Sequence, residues 1–236
     1  MELINKTKEK IRFIADMEVS LANAIRRSVG EIPILAIYEA DIYKNDSALY
    51  DGIITHRLGL IPLKNQKLKE GQTVEMKLRV KSKDGKMEVL SGDLEGDVVY
   101  QDMPLVLLEG GQELKLVARA NIGKGINHSR HSPGILFYKH YPKIQISSEG
   151  EKQSELGELF PEVFEVESSG KLAIKDAAAC DFDEEDFKDY PGIKIVFDDK
   201  LVFTVESWGQ IEAEDIFTES CEALKANLSE VLKIVK

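Results

Sequence analysis

The chain has 236 residues, 43% of them hydrophobic, enough for one large domain or two to three small ones, and a formal net charge of −11. The charge is concentrated: residues 149–190 hold 14 acidic and 4 basic side chains, which leaves 28 acidic and 27 basic elsewhere. A protein that grips nucleic acid needs a basic stripe to neutralise phosphates, and this balance argues against that role.

No run approaches the roughly 20 apolar residues of a membrane span, and MELINKTKEK lacks the apolar core of a secretory leader, so a cytoplasmic location is expected. The cysteines, Cys180 and Cys221, lie too far apart in sequence for a paired-cysteine metal knuckle and suggest no disulfide framework.

In chain order, Leu3 and Ile4 can pair, across the polar stretch NKTKEK, with a strand in which Ile11, Phe13, Ala15, Met17 and Val19 alternate. Ser20 is placed to cap a helix with Leu21, Ala24, Ile25 and Val29 on one face, stopped by Gly30 and Pro33. Its double arginine, Arg26 and Arg27, is either a solvated polar face or a docking feature. From Ile34 to Tyr43 the period becomes two, predicting a strand with Ile34, Ala36, Tyr38, Ala40 and Ile42 opposite Glu39 and Asp41. Ser47 can open a second helix with the stripe Leu49, Tyr50, Ile53, Ile54 and Leu58, closed by Gly59 and Pro62. A β pattern follows. Val74, Met76, Leu78 and Val80 form a strand with one wet face, and a Lys83-Asp84-Gly85 turn leads to a shorter strand through Met87 and Val89. Further strands are expected over 97–101, 105–108, 113–118 and 135–146.

The acidic stretch from Glu149 to Tyr190 has weak periodicity and reads as a separate module or a partly ordered insertion. Ile193, Ile195 and Phe197 then alternate, and Leu201, Phe203 and Val205 alternate back after Asp198-Asp199-Lys200, predicting a hairpin. The last helix places Phe217, Cys221, Leu224, Leu228, Val231 and Val235 at spacings of four and three. That is the narrow seam of helix-on-helix packing, made either within its own domain or across a subunit interface.

His128, Arg130, His131, Lys139, His140 and Lys143 crowd the histidines and cations. As a metal site this is weak, because no nearby carboxylate or thiolate completes a ligand set, and loops of this kind more often dock on another surface. The glycines of NIGKGINHS lack the phosphate-loop spacing. The acidic run Asp181, Asp183, Glu184, Glu185, Asp186 lacks the glycine and terminal glutamate of a calcium loop. No nucleophile elbow is present. A stand-alone metal- or phosphate-binding enzyme using the His128–Lys143 loop is the rival reading.

The runs NAIRR, SVGEIP, HRLGLIPL (His56 to Leu63), GKGINHSRHSP (Gly123 to Pro133) and DDKLVFTVESWGQIEAEDIF (Asp198 to Phe217) occur here in the order seen in one family. By these motifs the chain resembles, over nearly its whole length, the alpha-like assembly subunit of archaeal DNA-directed RNA polymerase. That family is related to the bacterial alpha amino-terminal domain and to the third-largest subunit of eukaryotic polymerase II. The HRLGLIPL form points to the archaeal and eukaryotic branch, and the small size to archaea.

The resemblance implies an α+β fold with a discontinuous dimerisation domain, residues 1–40 and 193–236, an inserted β-rich domain, 41–148, and an acidic module, 149–192. It implies a non-catalytic role: pairing with a small alpha-like subunit, L, joining the small subunits N and P, and docking the large subunits that perform nucleotidyl transfer. Leu21, Ile25, Phe217, Cys221, Leu224, Leu228 and Val231 would face the small partner. Arg26, Arg27, His56, Arg57, His128, Arg130 and His131 would face the second-largest subunit. Some relatives hold an iron-sulfur cluster in the position of the acidic module. With Cys180 as its one thiol this module is expected to hold none, and to rest on a small core such as Leu159, Phe160, Val163, Phe164, Leu172 and Ile174.

Overall fold

The computed structural model describes residues 1–66, 71–183 and 185–235, so Glu184 of the acidic run and Lys236 lie outside the described residues. It is a mixed α/β structure that divides into two compact units, 1–6, 12–22 and 137–204 in one and 7–11, 23–136 and 205–236 in the other.

The elements are β1 (Glu2–Lys6), β2 (Lys10–Ala15), α1 (Val19–Ser28), β3 (Pro33–Asn45), α2 (Asp51–Gly59), β4 (Val74–Lys81), β5 (Met87–Leu90) and β6 (Pro104–Leu108). They continue with β7 (Glu113–Lys124), β8 (Gly134–Ile146), α3 (Leu156–Leu159), β9 (Phe164–Val166), β10 (Leu172–Ile174), β11 (Ile193–Ser207) and α4 (Ala213–Val235).

The first unit is built on a sheet of order β1-β2-β11-β8. Strand β11 corrects the expected hairpin: it runs unbroken through Asp198-Asp199-Lys200. The polar trio is an exposed stretch of strand, where Lys143 pairs with Asp198 at 2.9 Å and His140 Nδ1 lies 3.0 Å from the Asp198 carbonyl. Beyond it Leu201 to Val205 are all buried, as befits an interior strand covered on both faces. Phe13 of β2 and Phe203 stack with centroids 5.1 Å apart. The expected strand at Ile11–Val19 stops at Ala15, before Met17 and Val19.

The acidic stretch has a core of its own. Leu156, Val163, Phe164, Leu172, Cys180 and Phe187 are buried together with Ile144, Ile193 and Ile195, and β9 and β10 form a short antiparallel hairpin beside them. Leu159 and Ile174, expected in this core, are exposed. Phe187 replaces them, meeting Phe160, Phe164, Phe182 and Tyr190 edge-on. These aromatics are irregularly spaced, so neither a period of two nor of 3.6 reveals them.

The second unit is centred on the antiparallel sheet β3-β7-β4, with the small hairpin β5-β6 and α2 closing its core. Strand β4 alternates as expected, with Met76, Leu78 and Val80 buried between exposed Glu75, Lys77 and Arg79. Strand β3 does not, because its register against β7 shifts between Ile37 and Glu39 and again between Ile42 and Lys44. All of Ile34 to Ile37 are buried, and only past the first bulge do the carboxylates of Glu39 and Asp41 face out. There, with Glu75, they surround Arg119 at 3.1, 2.7 and 3.2 Å. The expected strand at 97–101 reduces to one bridge, Leu63 to Val98.

Candidate docking surface

Helix α1 begins at Val19, ahead of Ser20, with the Ala22 amide donating to the Glu18 carbonyl at 3.0 Å, so Ser20 is not its cap. Its buried positions are Ala22, Ile25 and Val29, which leaves Leu21 exposed. Arg26 and Arg27 lie in the last turn, where the helix dipole favours cations. The Arg26 guanidinium is held in a fork on Asn23 Oδ1, with Nε at 3.1 Å and Nη2 at 2.9 Å. Arg27 is exposed and makes no hydrogen bond or ion pair among the described residues.

The end of α1 passes into a 3-10 turn, Val29–Glu31, and the basic loop after β7 is pressed onto it. The Ile126 amide donates to the Gly30 carbonyl at 2.9 Å. A Cβ on Gly125 would lie 3.3 Å from Gly30 Cα, from the His131 carbonyl and from Ser132 Cα. Glycine at position 125 lets the two backbones approach this closely. Lys124 pairs with Glu31 at 3.0 Å beside them. Two motifs far apart in sequence, NAIRRSVGEIP and GKGINHSRHSP, are thereby one surface.

Within the loop the expected residues separate into exposed and anchored. His128 is exposed and caps the turn Ser129–His131 by accepting from the Arg130 amide. Arg130 is committed to its own chain. Its Nη1 donates to the carbonyls of Tyr38 at 2.9 Å and Ile37 at 3.3 Å, at the bulge of edge strand β3, and its Nε meets His128 Nδ1 at 3.1 Å. Gln210 covers the same edge, donating to the Leu35 carbonyl at 3.2 Å. His131 is 7% exposed and its Nε2 lies 3.2 Å from Asn121 Oδ1. Burial lowers its pKa; the hydrogen bond with Asn121 opposes this, and the positive charge of Arg130 adds to it. His131, like Ile25, is covered by its own chain.

Helix α2 starts at Asp51, not at Ser47, which is instead tied into a turn by the Asn45 side chain at 2.6 Å. It buries Ile54 and Leu58 and leaves Tyr50, Ile53, His56 and Arg57 exposed, Arg57 reaching the Leu105 carbonyl at 2.7 Å. Two shallow clefts flank Arg130. One, of about 240 Å³, is lined by Tyr38, Thr55 and His56, and the other, of about 280 Å³, by Leu60, Pro62, Trp208 and Gln210. Tyr38, Ile126, Trp208 and Gln210 were not singled out by sequence reasoning. Position within the family-like motifs was the one signal that could have found Ile126, Trp208 and Gln210.

Helix α4 starts four residues before Phe217 and buries Ala213, Ile216 and Ser220. Cys221 and Leu224 are half-buried, after which the seam emerges into the open: Leu228 is 57% and Val231 55% exposed, with Leu232, Ile234 and Val235 also uncovered.

Among the described residues no group of three or more His, Cys, Asp and Glu side chains could hold a metal ion. Each histidine of the His128–Lys143 loop has a local partner: His128 meets Arg130, His131 meets Asn121, and His140 meets the Asp198 backbone. The enzyme reading of that loop therefore has no support. Among the described residues no helix is long and apolar enough to cross a membrane.

Residues 13–228 match the family described as the RNA polymerase Rpb3/Rpb11 dimerisation domain. The chain is 32% identical to DNA-directed RNA polymerase subunit Rpo3 of Pyrococcus horikoshii, covering 92% of this chain and 90% of that one. It is likewise 32% identical to subunit Rpo3 of Pyrococcus furiosus, over 95% and 92% of the two chains. Subunit Rpo3 of Methanosphaera stadtmanae is 29% identical over 100% of this chain and 98% of its own length.

Proposed function

As this chain belongs to the RNA polymerase Rpb3/Rpb11 dimerisation domain family, we propose that it is a non-catalytic assembly subunit of a multi-subunit DNA-directed RNA polymerase. The observation that carries the role is the uncovered apolar run of α4 in a chain of this family. Leu228, Val231, Leu232 and Val235 are all more than half exposed, and a contiguous apolar run of this kind marks a face for a partner.

The partner on α4 is a small alpha-like subunit, L, with Leu21, Phe217, Cys221, Leu224, Leu228 and Val231 at the contact. Subunits N and P join the pair, and the face that carries Arg26, Arg27, His56, Arg57 and His128 receives the second-largest subunit. The functional segments are a dimerisation part made from 1–40 and 193–236, an inserted β-rich part and an acidic module. The large subunits carry the chemistry. The acidic module holds no iron-sulfur cluster: its one thiol, Cys180, is buried with Sγ against the Phe182 carbonyl at 3.7 Å, which does not fit the four-thiolate requirement.

Co-expression with the small alpha-like subunit tests this. A one-to-one complex that survives size-exclusion chromatography, and that neither chain replaces with a homodimer, is the expected result. Two monomers eluting separately would remove the role.

A further inference from the structure

We propose that Arg130 and Gln210 close the free edge of β3 and thereby keep the apolar run 34–38 from adding a strand of a second copy of this chain. The inference concerns the chain before it meets any partner and does not depend on the assembly reading above.

Between Pro33 and Glu39 the sequence reads ILAIY, five residues without a charge. A window this apolar and β-prone pairs with other chains when its backbone lies open. In this fold the run lies on an edge, because β3 ends the sheet of order β3-β7-β4. Pro33 and Glu39 bound the run, and between them the edge has to be closed by other means. The ladder pairs Ile37 with Ala120 and Glu39 with Arg119, so Tyr38 is the extra residue of a bulge and stands opposite no β7 residue.

Side chains from distant segments occupy the outward carbonyls. Arg130 Nη1 donates to those of Ile37 and Tyr38 at 3.3 and 2.9 Å, and Gln210 Nε2 to that of Leu35 at 3.2 Å. An incoming strand would need these acceptors for its own amides, and it would have to desolvate a guanidinium to reach them. The cleft of about 240 Å³ lies against Ile37 to Ala40 and Arg130, so at the bulge the edge borders open space and Arg130 is what covers it. The same arrangement recurs at β6. Its register against β5 passes from Val106–Val89 to Pro104–Leu90, which leaves Leu105 opposite no β5 residue, and Arg57 Nη1 donates to the Leu105 carbonyl at 2.7 Å. An arginine thus closes the bulge carbonyl in two separate sheets.

The test compares self-association of the full chain by size-exclusion chromatography with light scattering over a range of protein concentrations. The proteins are the wild type, Arg130→Ala/Gln210→Ala, the same double variant with Tyr38→Lys added, and Lys83→Ala as a control for the loss of an exposed cation. Self-association through α4 is common to all four and drops out of the comparison. The double variant should self-associate roughly tenfold or more strongly than the wild type, since each freed carbonyl becomes an acceptor for a second chain. Tyr38→Lys should restore wild-type behaviour by placing a charge on the edge, and Lys83→Ala should match the wild type. Wild-type behaviour of the double variant overturns the proposal, as does a gain that Lys83→Ala reproduces or that Tyr38→Lys leaves in place. Circular dichroism and melting curves report whether the double variant folds. If it does not, Gln210→Ala alone carries the test: a smaller gain that Tyr38→Lys reverses supports the proposal, and no gain overturns it.

Discussion

The imidazole of His131 lies so close to Gly123 that a Cβ there would come within 2.6 Å of Nε2 and 2.7 Å of both neighbouring ring carbons. The ring cannot withdraw freely, since it is buried and its Nε2 is engaged with Asn121 Oδ1. Gly123→Ala should therefore destabilise the chain by about 1–3 kcal/mol, as overpacking of a closed site does. Thermal melts of the two proteins check this, and an unchanged midpoint would mean that the loop shifts without cost.

The same ring makes stability depend on pH. Burial lowers its folded pKa below the ordinary imidazole value of about 6.5, so the unfolded chain binds more protons between the two values. Its contribution is complete above about pH 6.5 and is lost as the pH falls from there toward the lowered folded value. In melts from pH 7.5 to 5, the wild type should lose stability relative to His131→Gln. Parallel curves would show that the imidazole stays neutral in both states or is charged in both.

Replacing Leu224 and Leu228 together with aspartate should abolish pairing with the small partner while leaving the sheet of the second unit folded. Each leucine buried at an interface contributes about 1.5–3 kcal/mol, and burial of a charge adds a further penalty. Size-exclusion chromatography with the partner present gives the readout, and an intact complex would exclude the seam from the interface.

Arg27→Ala should separate docking from folding. The side chain is exposed and unengaged among the described residues, so the melting temperature and the heterodimer should be unchanged while recruitment of the second-largest subunit weakens. A variant that fails to fold or pair would make Arg27 structural.

Thiol labelling tests the account of the acidic module. Cys180 is buried and its thiol pKa is raised by burial, whereas Cys221 is half-buried on α4. In the isolated native chain a thiol reagent should modify Cys221 first and Cys180 only on unfolding. The purified protein should contain no stoichiometric iron or acid-labile sulfide, and Cys180→Ser should assemble normally. Iron and sulfide in fixed ratio to protein would require ligands from another chain.

Local patterns were readable where one element alone decides them. The alternation of β4 and the long final helix follow from period and polarity, and both elements are present, although the buried positions of α4 are Ala213, Ile216 and Ser220 and not the four-three series. Features set by distant partners were not. The two bulges of β3 depend on its register against β7, and β11 passes straight through a turn-like Asp-Asp-Lys because Lys143 and His140 of β8 hold Asp198. Seen in sequence, Arg130 is one more loop cation, and only the fold turns it onto the β3 carbonyls. The seating of Ile126 on Gly30 joins motifs on either side of β3 and β7, beyond the reach of any local period.

The most direct measurement is purification of the tagged chain from its native host under gentle conditions, with the co-purifying proteins identified and quantified. The account predicts stoichiometric recovery of the small alpha-like subunit and the large catalytic subunits, with DNA-dependent RNA synthesis in the recovered complex and none in the isolated chain. Recovery of the chain alone, or as a homo-oligomer with its own turnover, would contradict it.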